Sequence, residues 1–593
     1  MGIIWLAIFF LALILIFNNF DFAIATYGIL SVGIGIAIYY KNKLRFEPIL
    51  PSDLKELKSF GSLLAMVPKW VPLATVLTFV VLGLIIAGLR FLRVKKQLRY
   101  LGLINRSLLQ RNLVHGIVTV LLLGIIWLPF GINQKYIIDF YANITRYKPV
   151  TYDQDVNIEV IGPLQTFWVN RVSTMMDQPT GYSKATMKKL ANKYTQIAAE
   201  NNAHKTTTFK GQTVMYILSE SLIDPKIVPK LTTDKNPMVN IEQIMQSQAS
   251  VSGTMISASY GGGTANMEYM TLTGMPINNL ASTVTTPYVQ LTGNVKAMPN
   301  ITNLFDEKAV LHPFVGTMYN RQESYREMGI DNFYTTDSKS AGPLKQLEKF
   351  PGGYTKDSAA YDDLLNLVST NSNKSQFLQL MTMQNHLGYD NKSYPAEYRV
   401  DITGKVPNAD KSAMQTYLEG VNATDIATKD LIDKLDKLSR PVTMVFYGDH
   451  WPVAFSYMDP KKEETGILTH STPYFIYQNP AAKKVNGTGE LNKNHSYSAP
   501  SDFASEMLTV SNAKVSPYFA LEQRFNKLIP TIANYTRSEN GQLQFVDAKG
   551  KLIDENKLTK KQKALLHDLR LAQYDAAEGE NYLTKLDFYK ITK

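Results

Sequence analysis

The chain has 593 residues, 45% of them hydrophobic, with 62 Lys+Arg against 51 Asp+Glu and a formal net charge of +11; at about 100 to 200 residues per domain this is more than one ordinary domain. The absence of cysteine excludes a disulfide scaffold, a thiolate metal cage, a Cys nucleophile and any Cys-derived formylglycine. The basic balance does not point to nucleic acid, because Arg90, Arg93, Lys95, Lys96, Arg99, Arg106 and Arg111 fall together, without an acid, between two apolar spans, which is a pattern of membrane topology.

Four stretches, 3–17, 22–40, 71–92 and 113–132, are almost free of charge, and three approach the roughly 20 residues that cross a bilayer as a helix. The first lacks a basic leader and a small-residue cleavage site, so it reads as a retained helix and not a signal peptide. The positive-inside rule puts the 90–111 loop in the cytoplasm and everything after the fourth span outside, in a multi-pass cell-membrane protein. The 41–69 loop then also lies outside, its basic residues diluted by Glu47, Asp53 and Glu56.

Residues 134–205 are mixed and polar and read as juxtamembrane linker helices. Phe167 and Trp168 sit in an amphipathic stretch that either rests on lipid headgroups or packs on the globular domain, and packing is the simpler reading. Ser183 suits the N-cap of a helix whose Met187, Leu190, Tyr194, Ile197 and Ala198 share a face. From residue 206 the pattern changes. Val214-Met215-Tyr216-Ile217-Leu218 and Val442-Thr443-Met444-Val445-Phe446-Tyr447 are short β-rich apolar runs, with helical segments such as 412–438 elsewhere. Buried strands alternating with helices predict an α/β fold on a mostly parallel sheet, whose ligands collect at the strand carboxyl ends.

The first run is followed by Ser219-Glu220-Ser221 and the later one by Gly448-Asp449-His450. Two carboxylates and an imidazole at strand ends suit a divalent cation, with Mn²⁺, Mg²⁺ and Zn²⁺ as candidates. Singly, each residue has an ordinary alternative as a cap or a solvated group. Ser259-Tyr260-Gly261-Gly262-Gly263-Thr264 then leads into a helix. Its glycines allow close backbone approach to an anion, and the helix N-terminus favours phosphate. Alone, the glycine triplet would be a flexible turn.

In combination and in this order, Glu220, Gly263-Thr264-Ala265-Asn266-Met267-Glu268 with Leu272-Thr273-Gly274, Tyr319-Asn320-Arg321, Asn385-His386 and Tyr447-Gly448-Asp449-His450 resemble the lipoteichoic acid synthase family, a branch of the alkaline phosphatase and sulfatase superfamily. The resemblance runs from about residue 206 to 525. The segment from Arg45 to Leu54 also looks like the family's extracellular inter-helix segment.

The resemblance implies that Thr264 is the nucleophile and that Glu220, Thr264, Asp449 and His450 bind one divalent ion, Mn²⁺ first among the candidates. A threonine hydroxyl is a weak nucleophile at neutral pH, and a cation beside it would favour its ionised form. The implied reaction moves glycerol phosphate from membrane phosphatidylglycerol to a cell-envelope acceptor, an anionic polymer or glycan such as lipoteichoic acid, through a phospho-threonine intermediate, and releases diacylglycerol. His386 matches the family's active-site histidine, suited to acid or base work near neutral pH. Arg321 matches the arginine that contacts glycerol phosphate; a surface pair with Glu323 is its ordinary alternative. His312 matches a further substrate-pocket position. Tyr319 stands where the synthase has a larger aromatic residue, a departure that bears on the headgroup contact.

A sulfatase reaction is disfavoured, since no Cys- or Ser-x-Pro-x-Arg context for formylglycine occurs. The alternatives are a phosphoethanolamine transferase of the same superfamily and a non-catalytic envelope-binding module. No nucleic-acid partner is expected, and a Gram-positive bacterial source is implied. The expected architecture is a transmembrane helical domain at 1–133, linker helices at 134–205, an extracellular sulfatase-like α/β sandwich at 206–535 and a small α+β extension at 536–593. In that extension Asn540-Gly541 forms a turn between short strands, before a helix carrying Leu565, Leu566, Leu569 and Leu571.

Overall fold

The computed structural model describes most of residues 2–94, 154–170 and 174–591; the stretch 95–153, apart from residues 116, 117 and 143, lies outside the described residues, as do shorter stretches including 46–48, 62–69, 293–297 and 492–496. The fourth predicted span and most of the basic segment before it therefore fall outside the described residues. The chain divides into two compact units, Met1–Ser173 and Thr174–Lys593.

In the first unit, helices Gly2–Phe17, Phe20–Arg45 and Trp70–Val94 cover the first three predicted spans. Among the described residues, Phe20–Lys41 is long and apolar enough to cross a membrane. Large apolar side chains such as Phe22, Ile34, Leu73 and Leu84 are exposed. Lys41 Nζ meets Asp53 Oδ1 and Oδ2 at 2.8 and 2.7 Å, and Asp53 Oδ2 also accepts from the Leu50 N–H at 2.6 Å, tying the helix end to the segment that follows.

The second unit is built on an eight-stranded sheet. Its strands are β1 (Thr213–Ser219), β2 (Ser250–Ile256), β3 (Glu307–His312), β4 (Asn332–Thr335), β5 (Gln376–Met381), β6 (Val442–Gly448), β7 (Ser471–Gln478) and β8 (Tyr497–Ser498), in spatial order β4-β3-β5-β1-β6-β7-β2-β8. β7 is antiparallel to both β6 and β2, and the other neighbours are parallel. The central strands β1, β5 and β6 are buried along their whole length, which explains why β1 and β6 read as apolar runs without alternation. Register matters for the chemistry: Ser219 pairs with Gly448, so Glu220 and Asp449 leave adjacent strands at the same level.

The helix Lys184–Asn202 is capped by Ser183, whose Oγ accepts from the Thr186 N–H at 3.2 Å; Met187, Leu190, Tyr194 and Ala198 are buried on its inner face and Ile197 half-buried. The helix packs within the second unit. Tyr194 Oη and Lys193 Nζ donate to Asp568 Oδ2 at 2.7 and 2.6 Å on the C-terminal helix Lys560–Ala577, where Leu565, Leu566, Leu569 and Leu571 are buried. The long helix expected at 412–438 spans Asn408–Asp436. A second, antiparallel sheet comprises β9 (Thr531–Arg537), β10 (Leu543–Val546) and β11 (Leu552–Asp554). The turn at Gly541, in the left-handed region at φ 73°, closes the β9–β10 connection with a 2.8 Å bond from its N–H to Ser538 O.

Candidate active site

The carboxyl ends of four parallel strands supply the site. β1 delivers Glu220, β6 delivers Asp449 and His450, β3 ends on His312, and the segment after β5 carries Asn385 and His386. Glu220, Asp449 and His450 are all buried, and one ligand atom from each lies within 4.8 Å of the others. His450 Nδ1 lies 2.9 Å from the Trp451 carbonyl, so the tautomer that donates there leaves the Nε2 lone pair facing Asp449 Oδ2 at 3.3 Å and Glu220 Oε1 at 3.7 Å. Burial, and after it the Asp449 carboxylate, push Glu220 well above the ordinary carboxylate range. Among the described residues neither carboxylate is ion-paired to a lysine or arginine. Two buried acids facing an imidazole lone pair fit a divalent cation, which would relieve both the desolvation and the mutual repulsion.

Thr264 begins the helix Thr264–Thr273, and its Oγ1 donates to Asp449 Oδ2 at 2.9 Å. The turn before it needs glycine. Gly263 lies at φ 76°, and a Cβ there would come within 2.4 Å of Ser259 Oγ. Asp449 is held in turn by its own surroundings: Oδ1 accepts from the Ser221 and His450 N–H groups at 2.7 and 2.9 Å. Ser221, at φ 54°, adopts the left-handed region beside Glu220 and donates its Oγ to Glu220 Oε1 at 2.8 Å. A non-glycine residue in that conformation at a chemical centre is strain retained where it serves a purpose.

Arg321 is buried, and its partner is Glu268; the alternative of a surface pair with Glu323 does not form, since Glu323 pairs with Arg326. Arg321 Nε lies 3.0 and 3.1 Å from the two Glu268 oxygens, and Nη2 lies 2.6 Å from Oε1. The guanidinium stands 4.9 Å from the centre of the Tyr319 ring. Tyr319 and Asn320 both lie in the left-handed region, at φ 59° and 57°, and the helix Arg321–Glu327 starts from this pair. His312 Nδ1 bonds the Met381 carbonyl at 3.2 Å; burial, then Arg321, hold this imidazole well below its usual range.

His386 is half-buried, and among the described residues its Nδ1 has no hydrogen-bond partner. Burial, then Lys392 and His450, push its pKa down to about 3, so the ring is neutral at neutral pH. The Tyr354 ring meets it edge-on at 5.1 Å. Sequence reasoning missed Lys392. Its ammonium is buried, donates to the Gln384 carbonyl at 3.0 Å and to the His386 carbonyl, and lies 5.2 and 5.1 Å from the Tyr354 and Tyr389 rings. Burial lowers its pKa to about 7 against the opposing pull of Glu220 and Asp357. A lone lysine in a loop carries no spacing that marks it out.

His470 is structural: it stacks on Tyr535 of β9 at 3.9 Å and bonds the Gly466 carbonyl through Nδ1 at 2.7 Å.

The family model described as Sulfatase matches residues 212–513. The chain belongs to the sulfatase family. The match spans all eight strands of the main sheet and contains Glu220, Thr264, His312, Tyr319, Arg321, His386, Asp449 and His450, whereas the second sheet and the C-terminal helix lie beyond it. The chain is similar to the Streptococcus pyogenes phosphoglycerol transferase GacH, solved in complex with sn-glycerol-1-phosphate, at 31% identity and a TM-score of 0.59 over 71% of this chain and 100% of that one. The lipoteichoic acid synthase LtaP of Listeria monocytogenes matches at 16% identity and a TM-score of 0.45, over 67% of this chain and 99% of that one. A Rhizobium meliloti (strain 1021) protein named for cyclic beta-1,2-glucan modification is 26% identical over 357 residues, 58% of this chain and 52% of its own length. The chain thus spans about half the length of the curated relatives it matches. A sulfatase-family domain is what the motif order led us to expect.

Proposed function

We propose that this sulfatase-family chain is a membrane-anchored, metal-dependent phosphotransferase that moves glycerol phosphate from phosphatidylglycerol to an anionic or glycan acceptor of the cell envelope. The observation that supports this reading is the hydrogen bond from Thr264 Oγ1 to Asp449 Oδ2, which joins the Thr264 hydroxyl to the buried cluster of Glu220, Asp449 and His450. The likeness to a phosphoglycerol transferase solved with sn-glycerol-1-phosphate supports the choice of transferred group.

Glu220, Thr264, Asp449 and His450 would hold one divalent ion, Mn²⁺ first among the candidates, and when bound it supplies Lewis-acid stabilisation of the charge on the phosphoryl group. Thr264 stands at the N-terminus of a helix, where N–H groups and the helix dipole favour phosphate. Asp449 Oδ2 orients the Thr264 hydroxyl and is the acceptor for its proton. Thr264 Oγ1 then forms a bond to phosphorus as the bond from phosphorus to the diacylglycerol oxygen breaks and that oxygen takes up a proton from solvent, leaving glycerophospho-threonine and diacylglycerol. Arg321, permanently charged, binds the phosphoryl oxygens through the N–H groups that Glu268 does not use. His386, whose Nδ1 has no hydrogen-bond partner among the described residues, takes the proton of the acceptor hydroxyl as that oxygen displaces Thr264, whose own oxygen recovers its proton from Asp449. Diacylglycerol stays in the bilayer, which is the purpose the apolar N-terminal helices serve in this reading, with the catalytic unit on the outer face.

Purified full-length protein in detergent micelles, given Mn²⁺ and either phosphatidylglycerol or phosphatidylethanolamine, tests the assignment through diacylglycerol release. Release from phosphatidylglycerol that stops on chelation is expected. Release from phosphatidylethanolamine alone would transfer the assignment to a phosphoethanolamine donor, and release from neither would remove the enzymatic reading.

A further inference from the structure

Glu268 lies four residues after Thr264 on the Thr264–Thr273 helix, so the two side chains leave it on one face. Its carboxylate is fully buried, where a charge persists only if it is paired and hydrogen-bonded. Among the described residues its bonded partners all come from the Arg321–Glu327 helix: the Nε and Nη2 edge of Arg321 and, four residues on, the Tyr325 hydroxyl. One face of the nucleophile helix therefore carries both the attacking oxygen and the anchor of the arginine. Arg321 Nη1 has no hydrogen-bond partner among the described residues. Its charge is felt at His312, the residue that ends β3 at the same site.

We propose that Glu268 is a positioning residue for phosphoryl transfer: it locks the Arg321 fork at a fixed offset from Thr264, so that the Nη1 edge meets the phosphoryl oxygens in line with attack. The left-handed Tyr319–Asn320 pair fits this role. It delivers Arg321 at the start of a short helix, and the Glu268 bonds determine where that start sits. Tyr325 completes the lock by holding the second carboxylate oxygen. The proposal rests on Arg321 as the phosphate-binding group of the reading above.

The test uses full-length wild type, Glu268→Gln, Tyr325→Phe, Arg321→Lys and the Glu268→Gln/Arg321→Lys double variant. Thermal melting and bound Mn²⁺ are measured alongside kcat and KM for diacylglycerol release, and sn-glycerol-1-phosphate binding by calorimetry. Glu268→Gln is expected to lower kcat on the order of 100-fold, the scale of a small misplacement at a reacting centre, and to weaken glycerol phosphate binding with Mn²⁺ retained. The double variant should lose no more than about 3-fold beyond the worse single, since one residue acts through the other. Losses that multiply, or a folded Glu268→Gln with wild-type kcat and binding, would overturn the proposal. If Glu268→Gln does not fold, Tyr325→Phe decides: kcat several-fold down at an unchanged melting temperature supports the lock, and an unchanged kcat overturns it. If wild type releases no diacylglycerol, the donor assignment fails on its own, and positioning is judged by glycerol phosphate binding, weakened in Glu268→Gln if the lock holds and unchanged if it does not.

Discussion

Asp449 joins Thr264 to the strand end that carries His450: Thr264 Oγ1 donates to its Oδ2 at 2.9 Å while the N–H groups of Ser221 and His450 fix its Oδ1 at 2.7 and 2.9 Å. Asp449→Asn would present an amide where Thr264 needs an acceptor and would remove one of the two buried charges. Diacylglycerol release should fall more than about 100-fold and bound Mn²⁺ should drop, with metal content read by elemental analysis. Retained metal with retained release would count against Asp449 in both roles.

Gly448 precedes that aspartate on β6, and a Cβ there would sit 1.9 Å from the Leu222 carbonyl oxygen, a backbone atom that cannot swing aside. Gly448→Ala must push the β1 and β6 ends apart and carry Glu220 away from Asp449. We expect a loss of about 3 kcal/mol in urea unfolding together with weaker Mn²⁺ binding. A variant as stable and as metal-competent as wild type would contradict the register argument.

Lys392 pins the loop that presents His386 by donating to the carbonyls of Gln384 and His386. Lys392→Met keeps most of the buried stem and removes the donor, leaving two carbonyls of the site loop unpaired. The expected result is a kcat lower by about 10- to 100-fold, with little change in Mn²⁺ content because the metal-ligand residues come from other elements. An unchanged kcat would show that the loop is held without it.

Much of this site is legible in the sequence because chemistry sits at the ends of strongly marked strands. Val214 to Leu218 and Val442 to Tyr447 are apolar enough to identify β1 and β6, and Glu220 and Asp449-His450 follow them directly. What escapes is pairing over long separations. Arg321 has Glu323 and Glu327 close by in sequence, yet its carboxylate comes from Glu268, 53 residues earlier, while Glu323 serves Arg326. Sequence neighbours describe exposed helix faces, whereas a buried arginine takes whichever acid the fold delivers. β2 is equally hard to recognise, since Ser250-Val251-Ser252-Gly253 lies half-buried near the sheet edge with no apolar run. Nor does any local pattern reveal that the Lys184–Asn202 helix binds the C-terminal helix through Asp568.

His470 gives the fold an acid sensitivity of its own. Burial lowers its pKa from 6.5 to about 4 in the folded chain, where it stacks on Tyr535. Between those values the unfolded chain binds the extra proton, so stability rises with pH across the window and is lost as pH falls from about 6.5 towards 4. The contribution amounts to about 3 kcal/mol. Urea unfolding of His470→Phe between pH 4 and 7 should show a slope shallower by about one proton. An identical slope would mean that His470 is not buried neutral.

The proposed reaction runs through a covalent phospho-threonine at Thr264. Mass spectrometry of full-length protein quenched with acid after brief exposure to Mn²⁺ and phosphatidylglycerol, without an acceptor, detects it. The expected product is a chain heavier by one glycerophosphoryl group, located by peptide mapping on Thr264 and absent from Thr264→Ala. Diacylglycerol release with no adduct under these conditions, or an adduct on another residue, would contradict it.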